Sequence, residues 1–147
     1  MNTFIASLLK VERALARGKG AFALFAAFLR EDGLGKWDLV ISAPWVERDW
    51  EAALRLISTR VQAALKPEQL LSISRIARVE PASPEVAAIH REFPVARLPV
   101  ETWGRSFFGM AMRHAPVFAS ARQDTATQRR PSPARTMQPM RRKLARG

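Results

Sequence analysis

Residues 21–43, AFALFAAFLR–EDGLGK–WDLVISA, leave this chain little choice of local structure. The first ten residues are apolar on both faces and rich in phenylalanine. Their length, between glycine-bearing turns, favours a buried strand over a helix. EDGLGK is turn chemistry: Gly33 and Gly35 accept positive φ, and the charges stay in water. In WDLVISA, alternation sets Trp37, Leu39, Ile41 and Ala43 on one face and Asp38, Val40 and Ser42 on the other. Two strands joined by so short a loop pair antiparallel, so a hairpin anchors the fold.

Helical patterns flank this hairpin. Phe4, Ile5, Leu8, Val11, Glu12 and Leu15 predict an amphipathic helix over about 2–17, stopped by Gly18 and Gly20. Pro44 ends the second strand, and Asp49 is a good N-cap with Glu51 favoured in the first turn. Trp50, Leu54, Ile57, Val61 and Leu65 share a face and predict a helix over 49–65, which Pro67 breaks. SISRIARVE, residues 72–80, reads as a third strand, and Ser83–Pro84 starts a helix running to about Phe93. Residues 95–100 allow a brief extended piece. The segment 102–114 carries Phe107, Phe108, Met110 and Met112 without clean periodicity.

The resulting order is α-β-β-α-β-α: an antiparallel hairpin plus a third strand, packed with about three helices. This is one small α+β domain over residues 1–117. Residues 118–147 form an Arg/Pro-rich segment whose composition predicts a disordered basic tail.

A chain of 147 residues with 48% hydrophobic content can bury a real core. It contains no cysteine, which removes disulfides, thiolate metal sites and cysteine nucleophiles together. Two histidines are too few for a histidine-built metal centre, and no cofactor is expected. The longest uncharged apolar run, Ala21 to Leu29, is too short for a spanning helix, so no transmembrane segment is expected. Lys10, Glu12 and Arg13 interrupt the order of a signal peptide. Lys10, Arg13, Arg17 and Lys19 are also compatible with a mitochondrial presequence, but an amphipathic first helix accounts for them more simply. The expectation is a cytoplasmic, bacterial protein. Its excess of arginine over lysine reflects coding composition as much as selection for binding.

The net charge of +11 is unevenly spread: residues 118–147 carry eight Lys and Arg against one acid, and residues 1–117 carry 16 against 12. The tail therefore holds +7 and the domain +4. Arg129, Arg130, Arg135, Arg141, Arg142, Lys143 and Arg146 sit on proline-punctuated chain suited to reaching phosphates without reading bases. An anionic membrane surface is the second polyanion that such a segment suits. No aromatic residue follows Phe118, so the tail itself cannot stack on bases. Simple solvation of the terminus is the plain alternative, as is an unconstrained extension. Within the domain, Arg55, Arg60, Arg75 and Arg78 suggest a basic face. The odd spacing of Arg75 and Arg78 splits them between the faces of a regular strand.

Catalysis finds no motif. The loop from Ser42 through Trp45 to the amides after Asp49 occupies the place of a ligand site, but it lacks the glycines of a phosphate cradle. Packing is the better reading of Trp37, Trp45 and Trp50. The element order is similar to the restriction-endonuclease-like core, which implies a Mg²⁺-dependent nuclease with Glu12 and Asp38 as carboxylates. The acid-x-lysine pair of that family is missing here, since LVISAP follows Asp38 and proline follows Glu80. His90 and His114 have no identifiable acid or nucleophile partner. The leading expectation is a non-catalytic binding or assembly module contacting nucleic acid through its tail. The alternatives are that nuclease, or a protein-interaction subunit, homo-oligomeric or with another partner.

Overall fold

A computed structural model describes residues 3–94 and 99–120. The elements are α1 (Thr3–Lys19), β1 (Leu24–Arg30), β2 (Trp37–Ser42), α2 (Pro44–Arg48), α3 (Trp50–Ala64), α4 (Pro67–Leu71), β3 (Ile73–Arg78), α5 (Pro84–Glu92), β4 (Val100–Phe107) and β5 (Met110–Ser120). The fold is α+β, built on one mixed five-stranded sheet of order β3-β2-β1-β5-β4. β1 pairs antiparallel with β2 and β5, β4 with β5 likewise, and β2 pairs parallel with β3. A parallel pair needs a crossover, and α2, α3 and α4 supply it.

The helix boundaries follow local chemistry. Asp49 caps α3 by accepting the Ala52 amide at 3.2 Å, and Ser83 caps α5 by accepting the Val86 amide at 3.2 Å. α1 runs through Gly18 to Lys19, two residues past the expected end at about 17, and is followed by Gly20, whose φ of 127° an L side chain rarely adopts.

Strand alternation divides the core into two layers. Phe25, Ala27, Leu39 and Ile41 pack against Ile5, Leu8, Val11 and Leu15 of α1 and Ala53, Ile57 and Val61 of α3. Leu24, Ala26, Phe28 and Val40 face the other way, toward Val86 and Ile89 of α5 and Met112, Ala115 and Val117 of β5. Each fully buried Val, Leu, Ile, Phe or Met side chain in these layers contributes roughly 1.5–3 kcal/mol relative to exposure.

The β4–β5 hairpin corrects the expectation of an irregular 102–114 segment, and β5 extends to Ser120, past the compositional boundary at 117. Its two-residue turn, Phe108 at φ 54° and Gly109 at φ 75°, has the positive angles of a type I′ connection. Midway along β4, Gly104 takes φ 65° and kinks the ladder. Thr102 and Arg105 consequently look toward the α5 side although they are three residues apart, as do Ala115 and Met112 on β5. Odd spacing in an unbroken strand would put each pair on opposite faces.

No helix among the described residues is long and apolar enough to cross a membrane.

Candidate binding site

Three neighbouring strands bring one carboxylate and two guanidiniums together on the α5-side face. Asp38, the second residue of β2, stands between Phe28 of β1 and Arg75 of β3. Arg30 follows Phe28 by two residues, so β1 delivers it to the same face. Arg30 Nε lies 3.2 Å from Asp38 Oδ2, and Arg75 Nε lies 3.4 Å from the same oxygen. The Asp38 side chain is only 5% exposed, whereas Arg75 keeps 57% of its side chain in water. Asp38 Oδ1 is buried and makes no hydrogen bond.

With Asp32 beside Arg30, the cluster holds two cations and two acids, and only Asp38 of the acids is buried. Each guanidinium approaches the aspartate most closely through Nε. On Arg30, Nη1 lies 3.9 Å from Asp32 Oδ1 and 3.9 Å from Met110 sulfur, both weak contacts. The terminal nitrogens of Arg75 make no ion pair or hydrogen bond with another described residue. A guanidinium held by a buried carboxylate, with its planar fork facing solvent, is pre-organised for an oxyanion.

The residues read from sequence as a metal site are not brought together. Asp38 faces α5, while Glu12 belongs to the α1 face packed on the opposite side of the sheet. Burial raises the Glu12 carboxyl above its ordinary value, with the Arg13 charge pulling against it. No group of three or more His, Asp or Glu among the described residues could hold a metal ion.

The tryptophan-dense loop is mainly packed. Trp45 is buried, its ring 5.5 Å from Phe22, and its indole N–H donates to the Gly20 carbonyl at 3.0 Å, tying α2 to the end of α1. Trp37 and Trp50 are half-buried at the core margin. Ser42 is fully buried and its hydroxyl has no partner. A solvent-open cleft of about 210 Å³ lies beside Trp45, lined by Lys19, Arg48, Asp49 and Leu56 among others. Its one acid, Asp49, is occupied in capping α3. It holds no converging set of acids and bases.

The histidines have structural partners. His90 Nε2 is 2.7 Å from the Ala23 carbonyl and joins α5 to the approach to β1. His114 Nε2 is 2.8 Å from Glu101 Oε1. The His114 ring stacks on Trp103, with centroids 4.8 Å apart and planes 7° apart, and Trp37 meets its edge at 5.5 Å.

Arg55 and Arg60 are exposed on α3. Arg78 lies 3.9 Å from Glu47 and covers the Trp50 ring, on the face opposite Arg75, so β3 does not form one continuous basic patch. Arg129, Arg130, Arg135, Arg141, Arg142, Lys143 and Arg146 lie outside the described residues.

Sequence reasoning singled out Asp38 and Arg75 separately and passed over Arg30. The available signal was positional: Arg30 and Asp38 flank a short hairpin loop, where antiparallel pairing places them near each other. Comparison with protein families, characterised proteins and solved structures gives no match for this chain.

Proposed function

We propose that this protein is a non-catalytic binding module for the phosphate backbone of nucleic acid. Its cationic tail supplies most of the attraction, and the Arg30–Arg75 pair supplies an oriented contact on the domain. The carrying observation is the Asp38 clamp: a buried carboxylate holds two guanidiniums and leaves the outer fork of Arg75 in water. The segregated charge supports the same reading, with +7 concentrated in 118–147. Phosphate contacts dominate affinity for nucleic acid and carry little sequence information, so the module binds with low sequence preference. A cytoplasmic setting, where nucleic acid is the abundant polyanion, suits this role.

Binding of the full chain to duplex and single-stranded DNA, measured by fluorescence anisotropy across a salt series, tests the proposal. Arg75→Ala should weaken binding to all sequences alike and reduce the salt slope by about 1. Removing residues 121–147, which leaves β5 whole, should weaken it much further. Binding that is absent at low salt, or untouched by both changes, rejects the proposal.

A further inference from the structure

We infer that Trp103 is a stacking platform for an unpaired nucleobase, so the preferred ligand is single-stranded. This inference rests on the nucleic-acid reading above and extends it to a different part of the surface. Trp103 is one of three large hydrophobic side chains left exposed among the described residues, with 63% of its surface in water. Unlike Leu34 and Leu71, it is held rigidly. One face of its indole lies parallel on the His114 imidazole. Glu101 Oε1 lies within hydrogen-bond distance of His114 Nε2, Trp37 closes against the edge of His114, and Phe4 of α1 packs on Trp37 at 5.1 Å. This row fixes the indole plane and leaves its outer face open.

The kink at Gly104 is what makes the platform. With φ at 65°, Gly104 resets the strand so that Trp103 turns to the α1 side while Arg105 turns to α5. A Cβ at Gly104 would meet nothing within 4 Å, so the glycine serves the backbone turn and not close packing. Across the ladder from Gly104, at the break in β1–β5 register, stands exposed Arg113. Its guanidinium makes no ion pair with another described residue, whereas Glu101, opposite Pro116 on the ladder, is engaged by His114. A flat aromatic face next to a free cation matches the repeating unit of a single strand, a base beside a phosphate. An intact duplex keeps its base faces stacked inside and offers none to the indole. Base–aromatic stacking tolerates any sequence, which agrees with a backbone-led binder.

The test uses the full chain, titrated with a labelled oligothymidylate, an abasic strand of equal length, and a duplex. Wild type should bind oligothymidylate more tightly than either of the others. Trp103→Ala should lose roughly 5- to 100-fold of the oligothymidylate affinity, keep its duplex affinity, and bind the abasic strand as wild type does. Trp103→Phe should restore most of the loss. The inference is overturned if wild type does not distinguish oligothymidylate from the abasic strand, or if Trp103→Ala weakens all three ligands equally. Unchanged binding of Trp103→Ala with sound wild-type affinity removes the platform but leaves the backbone reading standing. Failure of wild type to bind any of them removes both.

Discussion

Asp38 and Arg75 stand directly opposite each other on the parallel strands β2 and β3, with Oδ2 and Nε 3.4 Å apart. Arg30 reaches the same oxygen from the antiparallel side. One short acidic side chain therefore ties three strands together at one end of the sheet and sets the orientation of a half-exposed arginine.

Asp38→Ala leaves Arg30, a partly buried cation, with only its long contact to exposed Asp32. The expected loss is about 2–3 kcal/mol, toward the low end for a broken buried pair because Arg75 retreats into water. Urea denaturation measures it. A loss below about 0.5 kcal/mol contradicts a structural role for the clamp.

Gly18 and Gly104 make a matched pair. Neither would crowd an added Cβ, but Gly18 is helical and Gly104 has φ 65°. Gly18→Ala should stabilise by roughly 0.5–1 kcal/mol through helix propensity, while Gly104→Ala should destabilise by about 1–2 kcal/mol. Equal signs in thermal melts would show that backbone conformation is not what separates them.

Ser42→Ala removes a fully buried hydroxyl that has no partner. Deleting an unsatisfied polar group relieves its desolvation cost, so the melting temperature should stay level or rise. A drop of several degrees would mean that the hydroxyl is in use.

Glu12 supplies a pH dependence. Its carboxyl titrates above the ordinary 4.5 in the fold because burial disfavours the charge. The folded state thus binds this proton more tightly than the unfolded chain. The ionised form penalises folding at neutral pH, and the penalty fades as pH falls through the raised value toward 4.5. Glu12→Gln should raise the melting temperature at pH 7, by a few degrees in order of magnitude, with the gain shrinking in acid. A gain independent of pH contradicts this origin.

Much of the fold was legible because its signals are local. Asp49 and Ser83 cap the helices they were expected to cap, and alternation in 37–42 sorted the two core layers correctly. β4 and β5 were hidden for two physical reasons. The Gly104 kink shifts the apolar phase in mid-strand, and the I′ turn places Phe108, a residue rare at positive φ, beside Gly109. The Asp38 clamp was half visible: residue types showed an acid and an arginine, but only the β2–β3 register joins them. The pairing of Trp103 with His114 depends on register across a hairpin that periodicity could not reveal.

The central claim is that segregated positive charge meets a phosphate backbone. Its most direct measurement is the slope of log affinity against log salt for duplex DNA, compared between the full chain and one ending at residue 120. Eight tail cations predict that truncation reduces the slope by up to about 7. Equal slopes in the two chains, or a flat response in the full one, would contradict the account.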